Sequence, residues 1–213
     1  MVSTPRPATR LTPKGQRTRA RIVDAAAELI HERGVAGTTL EDVKAAAQVS
    51  GSQLYHYFAD KDALVQSVIE RQADVIVRTT ERAGLDTVNG LRAWRDLVIA
   101  EADRADGQGG CPLGSLGGQL AESDSRARAQ VAAGFGRWST AIGDGLAALR
   151  DTGALPPEVN PDDLAVTLLA TLQGGLLLAQ VQRDPRILET ALDTLFALAV
   201  GRAGPCSRPA HAR

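Results

Sequence analysis

The sequence predicts an all-α protein of about nine helices, a small N-terminal three-helix unit followed by a larger C-terminal helical domain. Three observations carry this. Hydrophobic residues make up 44% of the 213 but aromatics only 3%, so Leu, Ala and Val must fill the core. Ala and Leu favour helices, whereas strands prefer β-branched and aromatic residues. Apolar residues recur at helical spacing, and Gly- and Pro-rich breaks separate the stripes. The length suits one large domain or two modest ones.

Residues 1–13, rich in Pro and Thr with scattered Arg, read as a disordered arm. From Lys14 to Arg33, Ile22, Ala26, Leu29 and Ile30 form one apolar stripe, and Gly34 stops the helix in a left-handed conformation. Thr38 or Thr39 caps the next helix, with an acid three residues on completing a capping box. That helix is short and turns Leu40, Val43 and Ala46 or Ala47 inward. Ser50 caps a second short helix with Leu54 and Phe58 toward the core. This leaves Gly51, Ser52, Gln53, Tyr55, His56 and Tyr57 outside or at its edge. Two short helices joined by a tight turn form a helix-turn-helix, whose second helix lies in the DNA major groove. The unit therefore spans 14–60.

Asp60 caps a fourth helix from Lys61 to about Ala83, with Leu64, Val68, Ile69, Val75 and Ile76 as buried positions and Gly84 as its stop. Five more helices are expected at about 88–106, 113–121, 124–152, 161–182 and 185–202. Gly107–Gly110 and Gly153–Pro157 break the chain. Asn160 or Asp162 caps the penultimate helix, and Asp184-Pro185 opens the last. The domain over 61–203 closes with these two helices, which are apolar around most of their circumference. Each must bury more than one face, and a second copy of the chain is the natural cover. Residues 204–213 read as a disordered tail.

The net charge of −1 hides an asymmetry. Residues 1–61 hold nine Lys/Arg against six Asp/Glu, and residues 62–213 hold fifteen against nineteen. The first 23 residues carry six basic side chains and no acid. A basic front on a slightly acidic body fits a nucleic-acid module joined to a part that does not touch nucleic acid. No run of 18 apolar residues exists, so no membrane span is expected. The basic, Pro-containing N-terminus argues against a signal peptide, and the expected location is the cytoplasm. Cys111 and Cys206, far apart, read as unrelated free thiols. His31, His56 and His211 stand in no metal spacing, and no Gly-rich phosphate loop follows a strand. Neither a metal nor a cofactor is expected, and catalysis is rejected.

The stretch ARIVDAAAELIHERGVAGTTLEDVKAAAQVSGSQLYHYFADKDALVQSVI lies within Gln16–Ile69. Its densest run is Val49-Ser50 through Leu54-Tyr55, Tyr57-Phe58, Lys61 and Leu64. It resembles the DNA-binding domain of the TetR (tetracycline repressor) family. One departure stands out: where the family usually has Gly in the turn between its short helices, this chain has Gln48, at a cost of about 1 kcal/mol if φ is positive. The C-terminal half is loosely similar to the family. Gly110-Cys111-Pro112-Leu113-Gly114-Ser115-Leu116 resembles the opening of a middle helix in the subgroup containing the lincomycin-resistance regulators.

The resemblance implies a ligand-responsive regulator that binds double-stranded DNA. Lys14, Arg17, Arg19 and Arg21 can reach phosphates or the adjacent minor groove, and the capped helix start at Thr39 can donate to a phosphate. By resemblance, Tyr55, Tyr57 and Lys61 also meet the backbone. For the two tyrosines, packing within the domain is the alternative. Base reading falls to Ser52, Gln53 and His56, with Gly51 permitting close approach, and Gln53 can pair with both edge groups of an adenine. Two copies roughly 34–36 Å apart read a palindromic operator. The last two helices, about 161–202, would join them as an intersubunit four-helix bundle. Trp94, Val98, Leu113, Leu116, Leu120, Phe135, Trp138 and Leu172, with Gln173 as a polar contact, are the candidate walls of a pocket for a small apolar effector. For any one of them alone, core is the leading reading. Repression is the expected mode. The alternatives are activation, or a helical adaptor that binds protein through its C-terminal helices.

Overall fold

The computed structural model describes residues 11–104 and 109–199. Among the described residues there are nine helices and no strand. In order they are α1 (Pro13–Arg33), α2 (Leu40–Ala46), α3 (Gly51–Tyr57), α4 (Lys61–Ala83), α5 (Val88–Arg104), α6 (Pro112–Leu120), α7 (Ser125–Asp151), α8 (Pro161–Gln182) and α9 (Arg186–Ala199). The expected arm is structured at its end, because Thr12 is the N-cap of α1 and accepts from the Gly15 amide. The rest of that arm, the tail, Cys206 and His211 lie outside the described residues.

The chain divides into two compact units, Met1–Arg71 and Gln72–Arg213. The boundary falls inside α4 rather than at its start. The reason is packing: Leu64, Val65, Val68 and Ile69 are buried, and this part of α4 is tied to α1 by polar contacts. Arg71 Nε donates to Asp24 at 3.0 Å, and Arg19 donates to Ser67 Oγ at 2.8 Å.

In the first unit the core is Ile22, Val23, Ala26 and Ile30 of α1, Val43 and Ala47, Leu54 and Phe58, with the α4 residues just named. Each fully buried large side chain contributes about 1.5–3 kcal/mol. Ala47, not Ala46, is the inward alanine, and Leu40 is half-buried. Of the two candidate caps, Thr39 serves α2; Thr38 is buried, and its hydroxyl donates to the Gly34 carbonyl. Gly34 has positive φ (74°) but an extended ψ, so it stops α1 without entering the left-handed helical well.

Gln48 does stand at φ 51°. Its amide donates to the Ala45 carbonyl and the Val49 amide to the Lys44 carbonyl, the paired bonds of a Schellman turn. Those two bonds hold a non-glycine residue in a conformation that costs roughly 1 kcal/mol.

In the second unit α8 packs between α7 and α9. Gly175 lets α9 come close: a Cβ there would stand 2.7 Å from Leu188 Cδ1. One side of α8 (Ala165, Leu168, Leu172, Gly175, Ala179) is buried, while Val166, Leu177, Leu178 and Val181 stay exposed, Val181 at 71%. By length and composition alone α8 could cross a membrane, with a mean hydropathy of 1.7. The unbroken-run criterion passes over it because Thr167, Thr171 and Gln173 interrupt the apolar residues. Its buried stripe, however, packs against protein.

Two polar links fix the other helices. Trp138 Nε1 donates to Thr80 Oγ1 at 2.8 Å in a buried contact between α7 and α4. Arg95 of α5 binds Asp193 through Nε and Nη2, both at 2.8 Å, and Glu189 at 3.0 Å, which secures α5 to α9.

Candidate functional site

The first candidate surface is the exposed side of α3. Seven residues are too few to hold a helix by propensity alone, so the ends matter. Ser50 Oγ accepts from the Gln53 amide at 3.2 Å, and Gln53 Oε1 accepts from the Ser50 amide at 2.9 Å, a complete capping box. Ser50 Oγ and Ser52 Oγ share a further hydrogen bond of 2.9 Å. Ser52, Gln53, Tyr55 and His56 are all exposed, Tyr55 at 56%. A Cβ added at Gly51 would meet nothing within 4 Å, so the surface is open there. Tyr57 is half-buried: its ring takes the His56 ring edge-on at 4.9 Å, and its hydroxyl lies 3.4 Å from where a Cβ on Gly15 would stand. Tyr57 therefore packs against the first turn of α1.

Of the basic residues, Lys14 and Arg17 are exposed at the start of α1, and Lys61 is half-exposed at the start of α4. Arg19 is turned inward instead, 5.2 Å above the Phe58 ring and hydrogen-bonded to Ser67. Its expected reach to phosphate gives way to tying α1 to the residue that closes α3. Thr39 is committed too: its amide and hydroxyl both donate to the Asp42 carboxylate, and it accepts from the Asp42 amide. Those bonds, led by the Thr39 hydroxyl and aided by Arg33, hold the Asp42 carboxyl below the usual carboxylate range. The first-turn amides of Leu40 and Glu41 remain as donors at this helix start.

The second candidate is a cavity of about 410 Å³ in the C-terminal unit. Its walls are Val75, Ile76, Thr79 and Thr80 of α4; Trp94, Leu97, Val98, Glu101 and Ala102 of α5; Gly110 to Pro112; Trp138 of α7; and Leu172, Leu176 and Ala179 of α8. The polar groups are few, and two are occupied: Thr80 by Trp138, and Glu101 by Arg104. Such a cavity takes a small, mostly apolar guest.

Four of the nine residues expected from sequence are in these walls: Trp94, Val98, Trp138 and Leu172. Leu113 and Leu116 are filled core, 0% and 2% exposed, because the tight approach at Gly134 draws Leu113 against α7. Leu120, Phe135 and Gln173 are not wall residues. Phe135 instead stacks on Trp138 at 6.4 Å, and the buried Gln173 Nε2 has no hydrogen-bond partner. The α4 wall is the part the sequence reading missed; its signal is the i, i+1, i+4, i+5 register of Val75, Ile76, Thr79 and Thr80 on one helix face.

The sequence profile of the bacterial regulatory proteins of the tetR family matches residues 22–68, and that of the tetracyclin repressor-like C-terminal domain matches residues 87–195. The chain belongs to the TetR family. This TetR-family protein is 26% identical over 179 residues to the HTH-type transcriptional repressor DhaR of Mycobacterium sp. strain GP1, covering 84% of this chain and 90% of that one. An uncharacterised HTH-type transcriptional regulator of Mycobacterium tuberculosis is 30% identical over 178 residues, covering 79% and 87%. Among solved structures, a TetR transcriptional regulator from Chloroflexus aurantiacus matches with TM-score 0.73 and 28% identity over 88% of this chain and 97% of that one. SmeT in complex with triclosan matches with TM-score 0.69 and 27% identity, over 91% and 99%. SmeT represses a multidrug efflux pump of Stenotrophomonas maltophilia.

The TetR-family chain is accordingly a DNA-binding transcriptional regulator that responds to a ligand, and it acts by binding rather than by catalysis. The adaptor alternative is not favoured.

Proposed function

We propose that this regulator represses transcription as a cytoplasmic homodimer on a pseudo-palindromic operator and is released by a small, largely apolar effector. The observation that carries the reading is the cavity of about 410 Å³, walled almost wholly by apolar side chains in a chain of this family. Its size suits one compact organic molecule, and no uncommitted charge inside it calls for a charged one.

The exposed faces of α8 and α9 support the dimer: Val166, Leu177 and Val181 on α8 and Leu198 on α9, the last 78% exposed, would be covered by the same faces of a second copy. The reading face would be Gly51, Ser52, Gln53 and His56. Lys14, Arg17, Tyr55 and Lys61 would meet phosphates, with Tyr57 contributing a hydroxyl from its packed position. At Thr39 the contact would come from the backbone amides that follow it. Repression, the activity named for DhaR, needs no contact with polymerase beyond occupying the promoter.

The test is fluorescence-anisotropy titration of a duplex from the region upstream of the gene, over a range of salt and with or without an apolar panel that includes triclosan. The reading expects a steep fall in affinity with salt. It also expects a fall in operator affinity of about 5- to 150-fold with at least one apolar compound. Equal operator affinity with and without a compound shown by calorimetry to bind would end the proposal of release.

A further inference from the structure

We infer that Gln53 reads the operator as a hydrogen-bond donor alone, selecting guanine or thymine at its position and disfavouring adenine and cytosine. The inference rests on the proposal that α3 is the reading helix. It concerns which groups of Gln53 are still available to a base.

A glutamine amide carries one acceptor, Oε1, and one donor group, Nε2, and at ordinary resolution the two ends look alike. Here their assignment follows from the partner. The Ser50 backbone amide lies 2.9 Å from the side chain and can only donate, so the atom facing it has to be the carbonyl oxygen. The reciprocal bond from the Gln53 amide to Ser50 Oγ, 3.2 Å, closes the box. Paired recognition of adenine needs both ends of the amide turned outward, Oε1 toward N6–H and Nε2 toward N7. With Oε1 directed back at the first turn of its own helix, the group presented outward is Nε2 with its two hydrogens.

Turning the carbonyl out to gain one further bond to adenine would strengthen binding by about fivefold. Doing so breaks the bond from the Ser50 amide, a loss of a similar factor of about fivefold, while Ser50 Oγ keeps the Gln53 amide. The exchange gains nothing, so the capped form is the one that meets DNA. Of the base edges in the major groove, guanine offers two adjacent acceptors and thymine one. Cytosine offers a donor, and adenine places a donor beside its acceptor.

The variant that isolates the effect is Gln53→Glu. Glutamate is a usual capping-box residue at this position, so α3 stays capped, but the outward donor is gone. Full-length wild type and Gln53→Glu are each used to select from duplexes randomised around the bound region, with thermal melts checking that the two fold alike. The expected result is guanine or thymine at one position of each half-site with wild type, favoured by roughly fivefold. Only that position changes with Gln53→Glu. At a selected A·T pair, a loss of wild-type affinity when 2-aminopurine, which pairs with thymine but lacks the N6–H group, replaces adenine would overturn the inference, since it means the box opens on DNA. Unchanged preferences at every position in Gln53→Glu would also overturn it, by removing Gln53 from base reading. In both of those results a preferred operator is still selected, so the reading-helix proposal survives. Absence of any preferred sequence with wild type would bring down that proposal and this inference together.

Discussion

The two units of the chain are held together in different ways. In the first, polar side chains near the helix ends are turned back onto their own backbone: Thr12, Thr39 with Asp42, Ser50 with Gln53, and Asp60. Four helix starts and the short helices between them are fixed locally, within three residues of sequence. In the second, α7 and α8 are capped as well, by Asp124 and Asn160, but these helices are long and their placement depends more on distant contacts such as Trp138 to Thr80 and Arg95 to α9. Packing of that kind leaves a half-open apolar pocket and an uncovered face. A reader of base edges needs side chains held to a fraction of an ångström, which local caps provide. A sensor needs room, and the space between α4, α5 and α8 provides it.

The contrast can be broken at four places, taken from the largest expected effect down. Replacing Leu177 and Val181 together by Asp charges the exposed face of α8. Sedimentation should then show a monomer, and operator affinity should fall on the order of 10²- to 10⁴-fold as the second half-site is no longer tethered. A dimer that persists would move the subunit contact elsewhere. Next, Leu113→Ala opens a hole in filled core and should cost about 2–5 kcal/mol in urea unfolding. The paired Val98→Ala, at the wall of a void already present, should cost roughly 1 kcal/mol or less while changing effector affinity.

Thr39→Ala removes a cap and should cost about 1 kcal/mol. Its pH dependence has a defined sign. Asp42 has a depressed pKa in the folded state, so its contribution is present above the unfolded carboxylate value and is lost as pH falls through the folded one. Unfolding measured between neutral and strongly acidic pH should show the advantage of wild type over Thr39→Ala shrinking only on the acid side. The smallest effect is a gain: Gln48→Gly should stabilise by roughly 0.5–1 kcal/mol, since glycine relieves the positive φ. Operator affinity should stay unchanged, and a loss would mean that the Gln48 side chain itself touches DNA.

Much of the first unit was legible in the sequence because its determinants are local. The stop at Gly34 and the caps at Ser50 and Asp60 follow from residue type and spacing, and the positive φ of Gln48 from the resemblance to a family that usually has glycine there. Gln53 shows where a local reading runs short. Ser50-x-x-Gln53 is itself the spacing of a capping box, and one side chain was credited wholly to bases when half of it belongs to the helix. The cavity was less legible for a different reason. Leu113 and Leu172 are the same residue on apolar helices, yet one fills core and the other faces a void. What separates them is the rotation of each helix, and that depends on close approaches such as Gly134 on Leu113 and Gly175 on Leu188. No window of sequence contains both partners of those contacts.

The grip of α5 on α9 has an asymmetry of its own. Arg95, only 18% exposed, is a single cation facing three carboxylates, those of Asp96, Glu189 and Asp193. Burial works against its charge, but the bonds to Asp96, Asp193 and Glu189 outweigh it and hold the guanidinium protonated. If Asp193 or Glu189 is lost the arginine keeps the other on α9, whereas without Arg95 both of these links go at once and the three carboxylates lose their shared cation. The junction is thus redundant from one side and irreplaceable from the other. A change at one of these acids leaves one polar link between α5 and α9, and a change at the arginine leaves α5 to the packing of Leu91, Trp94 and Ala102.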